Sequence, residues 1–251
     1  TTTQSGNVAI GVEALENNTA DENVAVGKQV LNDNTSGSAN TSIGSFSLTK
    51  NTTGAENTAV GKDALCKNTT ARQNTAVGTS ALRDNTTGAC NTAVGFNNLV
   101  LNTTGCCNTA IGRSSMDANT TGCFNTSVGN NSLSSNTTAN DNTAVGQSSL
   151  AANTTGTRNT AVGRDALEAN TTGTDNVAVG YNSLCVNTTG TKNVAVGTGA
   201  LERNTTASNN VAVGFDSMLK TTTGCRNVGV GESTLKENTT GLCNVAVGAF
   251  T

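Results

Sequence analysis

Eight cysteines are the side chains of this 251-residue chain with the most chemistry in them, and their spacing is regular. Cys90 and Cys107 lie 17 residues apart, as do Cys106 and Cys123. Cys225 and Cys243 lie 18 apart, and Cys66 and Cys185 are separated by 119, a multiple of 17. Thiols form disulfides, bind soft metals or act as nucleophiles, and the last role usually needs a neighbouring base. The chain has no histidine, which removes Ser/His/Asp and Cys/His catalysis and every His-containing metal site. Its 17 Asp and Glu are scattered, and neighbours such as Asp21 and Glu22 fit a solvated surface. The 28 glycines recur along the whole chain rather than at one strand-to-helix junction, so they form no phosphate loop. These observations predict a protein that is not an enzyme, with no metal and no cofactor.

The elements that position the thiols follow from a repeat. Asn7, Asn23, Asn40, Asn57 and Asn74 each open a segment Asn-Thr/Val-small-Val/Ile-Gly, and the same opening recurs to Asn244. Every spacing is 17 residues except the first, which is 16. The full repeat is Asn-Thr-Ala-Val-Gly-x-x-Ala-Leu-x-x-Asn-Thr-Thr-Gly-x-x. A fixed period of this length means a solenoid, in which each repeat buries its apolar side only by stacking on its neighbours. A helix is excluded by the recurrent glycines, the β-branched residues and the lack of a 3.6-residue apolar stripe. The fold predicted is all-β: a parallel β-solenoid (β-roll or β-helix) of about fifteen 17-residue coils, forming one repeat domain over residues 1–251. The termini, at Thr1 and Thr251, carry no polar capping segment, so the sequence reads as part of a longer fibre or as a subunit that stacks end to end.

Position along the repeat sorts the residues. All 31 charged residues, 14 basic and 17 acidic, fall at positions 6, 7, 10, 11, 16 and 17, which predicts three exposed corners. Position 5 is Gly in all fifteen repeats, as positive φ or close backbone approach demands. Position 9, Leu or Met in every complete repeat, marks a core column. Positions 2 and 4 are β-branched throughout and share one strand face, so they are expected to join Leu in the core. Position 3 would then point outward. It is Ala, Ser or Gly in every repeat, which predicts close packing of a partner chain on a face that includes Ala144, Ala161 and Ala178. Asn at positions 1 and 12 suits stacked side-chain ladders.

Stacking brings equal positions of successive coils to about 4.8 Å, within disulfide reach. It predicts the pairs Cys90–Cys107, Cys106–Cys123 and Cys225–Cys243 and an oxidising compartment, outside the cell or on its surface. Cys66 and Cys185 are left as free or intermolecular thiols. Asn51, Asn68 and Asn85 open formal glycosylation sequons, although a glycan on every coil would be crowded. The net charge of -3 and the scattered Lys and Arg argue against nucleic acid. No apolar run is long enough to span a membrane.

The segments Asn7–Gly11 and Asn193–Gly197 resemble the head repeats of trimeric autotransporter adhesins, and the whole repeat, as at Asn159–Asp175, resembles repeats of phage tail fibres. The resemblance implies a homo-oligomeric fibre with a structural or adhesive role, its partners being copies of itself and a cell or host surface. The expectation from the sequence is a stiff extracellular filament or fibre shaft. The alternative is an ice-binding solenoid that presents Thr ladders from positions 13 and 14.

Overall fold

The computed structural model describes residues 4–251, which fall into two compact units, one ending at Phe124 and the other Asn125–Thr251. Each is a parallel β-solenoid with one three-residue strand per coil. The first unit contains β1 (Val8–Ile10), β2 (Val24–Val26), β3 (Thr41–Ile43), β4 (Thr58–Val60), β5 (Thr75–Val77), β6 (Thr92–Val94) and β7 (Thr109–Ile111). The second contains β8 (Thr126–Val128), β9 (Thr143–Val145), β10 (Thr160–Val162), β11 (Val177–Val179), β12 (Val194–Val196), β13 (Val211–Val213), β14 (Val228–Val230) and β15 (Val245–Val247). Within each unit consecutive strands pair in parallel and in strict register, Ala59 on Ala76 and Ala161 on Ala178. One-repeat register follows from the sequence: a shift by a single residue would turn every side chain to the opposite face.

Outside the strands the coil has no regular secondary structure, yet its backbone is ordered by the coils on either side. In the repeat that begins at Asn57, the N–H groups of Thr58, Leu65, Lys67 and Thr69 donate to the next coil, at 2.8–3.0 Å. Those of Gly61, Asp63 and Gln73 donate to the preceding one, at 2.7–3.1 Å. Positions 7, 9 and 17 hold non-glycine residues in the left-handed region, for example Asp63 (φ 57), Leu65 (φ 50) and Gln73 (φ 59). Left-handed residues set between residues of negative φ turn successive amides toward the neighbouring coils, which receive them. Position 7 is accordingly rich in Asn, Asp, Ser and Gly, which tolerate this conformation. Leu has no such tolerance, and position 9 holds it only because its side chain is locked in the core.

The core is narrow. It consists of the column at position 9, from Leu31 and Leu48 through Met116 in the first unit and Leu133 to Met218 in the second, together with position 3, position 8 and the two Asn columns. The strand phase is therefore the reverse of that expected from the sequence. Ala144, Ala161 and Ala178 are wholly buried, at 0% exposure, and form no packing face. Positions 2 and 4 lie outside. The physical reason is space: with Leu, position 8 and two Asn side chains already inside, only a small side chain fits at position 3, Ala in most coils and the hydrogen-bonded Ser42 and Ser127 in two others. Gly229 shows the limit, since a Cβ there would sit 3.0 Å from the Met218 side chain and from Ser217 Oγ.

Both Asn columns are buried and bonded. Asn57 Nδ2 donates to Asn40 Oδ1 (3.1 Å) and to the Ala71 carbonyl (2.9 Å), while its own Oδ1 accepts the Asn74 backbone N–H (3.0 Å). Asn68 Nδ2 donates to Asn51 Oδ1 (2.8 Å) and to the same Ala71 carbonyl (3.1 Å). The position-15 carbonyl is thus the shared acceptor that ties the two columns together. Thr221 interrupts the position-12 column, its hydroxyl donating instead to the Asn238 carbonyl at 2.9 Å. On either side of it, Asn204 Oδ1 and Asn238 Nδ2 are buried without a partner. Replacing Thr221 by Asn should restore both bonds. Each orphan costs roughly 1–3 kcal/mol, so a gain of about 2 kcal/mol is expected, read as a higher unfolding midpoint and slower amide exchange between Thr222 and Gly241. An unchanged or lowered midpoint would show that the gap is harmless.

Candidate functional site

Two features stand out from the repeating scaffold: the outer strand face and the corner that carries thiols. The strand face is formed by positions 2 and 4, which point away from the core on each coil. Position 2 is Thr in β3 to β10 and Val in the other strands, and position 4 is Val or Ile throughout. These side chains are partly exposed; Ile43, Ile111, Val162 and Val196 lie between 36% and 40%. No charge falls on this face, because all 31 charged residues occupy the corners. The corners pair their charges from coil to coil, as in Lys50–Asp33 (2.9 Å) and Arg158–Asp175 (2.6 Å). Such exposed pairs add only about 0–1 kcal/mol each. Their placement leaves the strand face uncharged and β-branched. Hydrophobicity along the sequence could not have found it, because Thr and Val looked like core beside Ala.

The two Thr columns on the turn side are not equivalent. At position 13 the Thr hydroxyl is spent inside the stack: Thr69 Oγ1 donates to the Thr86 carbonyl at 3.0 Å, and Thr171 Oγ1 to that of Thr188 at 3.1 Å. Position 14, as at Thr70, is exposed. Asn51, Asn68 and Asn85 are buried at 0% exposure with Nδ2 bonded inside the ladder, so the folded coils hold these sequons out of reach of glycosylation.

No disulfide is present among the described residues, including at the three pairs expected. The Cys90 thiol turns to Gln73 Oε1 at 3.5 Å, on the side away from Cys107. The Cys225 thiol donates to the Thr223 carbonyl at 3.4 Å rather than meeting Cys243. Only Cys106 and Cys123 face each other, with Sγ atoms 2.8 Å apart. Cys66 and Cys185 are half-buried in separate units. Burial, followed by the neighbouring Asp63, pushes the Cys66 thiol up. Burial first and Glu168 second push Cys185 up to about 12, and its thiol donates to Glu168 at 3.7 Å. Such thiols hold little thiolate and react slowly.

Among the described residues no group of three His, Cys, Asp or Glu side chains is placed to hold a metal ion, and no helix is long and apolar enough to cross a membrane. No protein-family model, no curated protein and no solved structure matches this chain.

Proposed function

We propose that the chain is the repeat shaft of a stiff extracellular or cell-surface filament, in which copies of the chain lie side by side on the strand face. The observation that carries this reading is the uncharged, β-branched face that runs along each unit. With strands about 4.8 Å apart and outward side chains spanning roughly 10 Å, it measures about 350 Å² per unit, in the ~300–600 Å² range of the largest patches on monomers, which are often functional. A second copy is the occupant it suits. The face repeats with the coil spacing, so an identical face matches it at many registers, and no charge has to be desolvated. The narrow core points the same way: the coil of Asn57, for example, buries one large apolar side chain, Leu65, with the small Ala59, Ala64 and Ala71, while Thr58 and Val60 are only partly covered. The location proposed with this reading rests on the same filament.

The test is a triple substitution of outward residues, Val162→Glu, Val196→Glu and Val213→Glu, none of which reaches the core. The unsubstituted protein should sediment as an oligomer and appear as filaments in electron micrographs, and the variant as dispersed chains with an unchanged circular dichroism spectrum. A monomeric unsubstituted protein, or assembly unaltered by three carboxylates, would overturn the reading. The alternating Thr and Val on the strand faces, at β3 to β7 in the first unit and β8 to β10 in the second, give ice binding a specific support. Thermal hysteresis with faceted ice crystals would establish that alternative, and none is expected while the position-13 hydroxyls are held inside the stack.

A further inference from the structure

One corner of the first unit gathers four of the eight cysteines. Cys90, Cys106, Cys107 and Cys123 occupy positions 17, 16, 17 and 16 over three successive coils. They are not equivalent. Cys90 and Cys107 are exposed, whereas Cys106 and Cys123 are half-buried. The Cys123 sulfur accepts both the Cys106 thiol, at 2.8 Å, and the Cys106 backbone N–H, at 3.0 Å. Backbone bonds fix the two coils on both sides of the pair, from Gly105 N–H to the Thr120 carbonyl (3.3 Å) and from Phe124 N–H to the Cys106 carbonyl (3.1 Å). Stacked coils hold the two α-carbons about 4.8 Å apart, inside the ~4.4–6.8 Å span of disulfides. An S–S bond of ~2.05 Å therefore needs the sulfurs to close by less than about 1 Å, with no backbone rearrangement.

We infer that Cys106 and Cys123 form a redox-active dithiol, which closes to a disulfide by exchange with a small-molecule disulfide and staples two adjacent coils. In the first step the Cys123 thiolate attacks one sulfur of the oxidant, forming a mixed disulfide and releasing one thiolate. In the second, Cys106 loses its proton to solvent and attacks the Cys123 sulfur, releasing the other half of the oxidant. Two electrons pass from the cysteine pair to the oxidant, and its two halves leave as thiols carrying the two protons. The order follows from the contact: the hydrogen bond to Cys123, then burial, push the Cys106 thiol up to about 12, so it keeps its proton while its partner attacks. Once the Cys123 sulfur is bonded to the oxidant it no longer holds the Cys106 proton as a thiolate acceptor, the largest of these restraints is lifted, and Cys106 becomes the resolving thiol. Cys185 is also pushed up, but the group it faces is the Glu168 carboxylate rather than a second sulfur, so it has no such reaction.

The experiment equilibrates the full chain in buffers of reduced and oxidised glutathione, traps residual thiols with an alkylating reagent, and maps the peptides. The first linkage to form should be intramolecular and join Cys106 to Cys123, while Cys90 and Cys107 still take up the reagent. Closing a loop of about 17 residues should slow amide exchange between Cys106 and Phe124 about a hundredfold. A first linkage at Cys90–Cys107, a linkage between chains, or alkylation of Cys106 and Cys123 after the other thiols have oxidised would each overturn the inference. Cys106→Ser and Cys123→Ser should each abolish the linkage. If either fails to fold, the variant Cys90→Ser/Cys107→Ser decides, since it leaves the pair intact and must form the same single disulfide at the same poise.

Discussion

Replacing Gly163 by Ala is expected to cost about 3–5 kcal/mol, whereas the same change at Gly173 in the same coil should cost less than about 1 kcal/mol. Both glycines are crowded. A Cβ on Gly163 would lie 2.5 Å from the Gly180 carbonyl oxygen, and one on Gly173 would lie 2.4 Å from that of Gly190 and 2.3 Å from Asn170 Oδ1. The difference is in the backbone. Gly163 has φ +134, a region closed to L residues, so the chain cannot relieve the contact by a small rotation. Position 15 has no such constraint, and the chain itself places Ala there at Ala71, Ala139 and Ala207, all buried. The ladder bond survives at all three: Asn68, Asn136 and Asn204 reach the carbonyls of Ala71, Ala139 and Ala207 at 3.1–3.2 Å, against 3.1 Å from Asn170 to Gly173. A solenoid need not unfold in one step, so the measurement is native-state amide exchange in the coils on either side of each substitution. Equal effects at the two positions would show that crowding alone, and not φ, selects glycine at position 5.

The second large effect is expected in the position-1 ladder. Asn159→Asp changes almost no volume, yet it should cost about 4 kcal/mol or more near neutral pH. Asn159 Nδ2 donates to Asn142 Oδ1 (3.2 Å) and to the Gly173 carbonyl (2.8 Å). A carboxylate oxygen in its place would face two acceptors in a site with 0% exposure. The other oxygen would still accept the Asn176 backbone N–H, now at 3.1 Å, and Asn176 Nδ2, now at 3.2 Å, which recovers only part of the loss. Burial and the facing carbonyls raise the folded-state pKa of the new carboxyl above its unfolded value near 3.9. The sign follows: stability is fully present below about pH 3.9, where the carboxyl is protonated and its O–H can donate to Gly173, and it is lost as pH rises through the raised value. Denaturation midpoints at pH 3.5 and pH 7 should therefore differ strongly in the variant after subtraction of the parent's own pH dependence. A variant whose deficit is the same at both would mean that the new side chain has turned out to solvent, and that the ladder is not closed at this point.

Much of this architecture was legible in the residues. The 17-residue period, the invariant glycine at position 5 and the confinement of charge to six positions determined a stacked parallel solenoid with charged corners. The Leu or Met at position 9 and the Asn at positions 1 and 12 determined which columns run along it, because identical residues in register can only stack on themselves. The cysteine spacing, likewise, named every pair that could meet. What the sequence did not determine was direction. Alternation assigned positions 2 and 4 to one face and position 3 to the other, and hydrophobicity then sent Val and Thr inward and Ala out. The same limit applied to the thiols: equal spacing treated Cys90–Cys107 and Cys106–Cys123 alike, while only position 16 turns its sulfurs toward one another. Tertiary structure decided both, for a single physical reason. A coil of 17 residues encloses a cross-section already occupied by Leu, position 8 and two bonded Asn side chains, and the remaining space admits the side chain of Ala or Ser and excludes an isopropyl group.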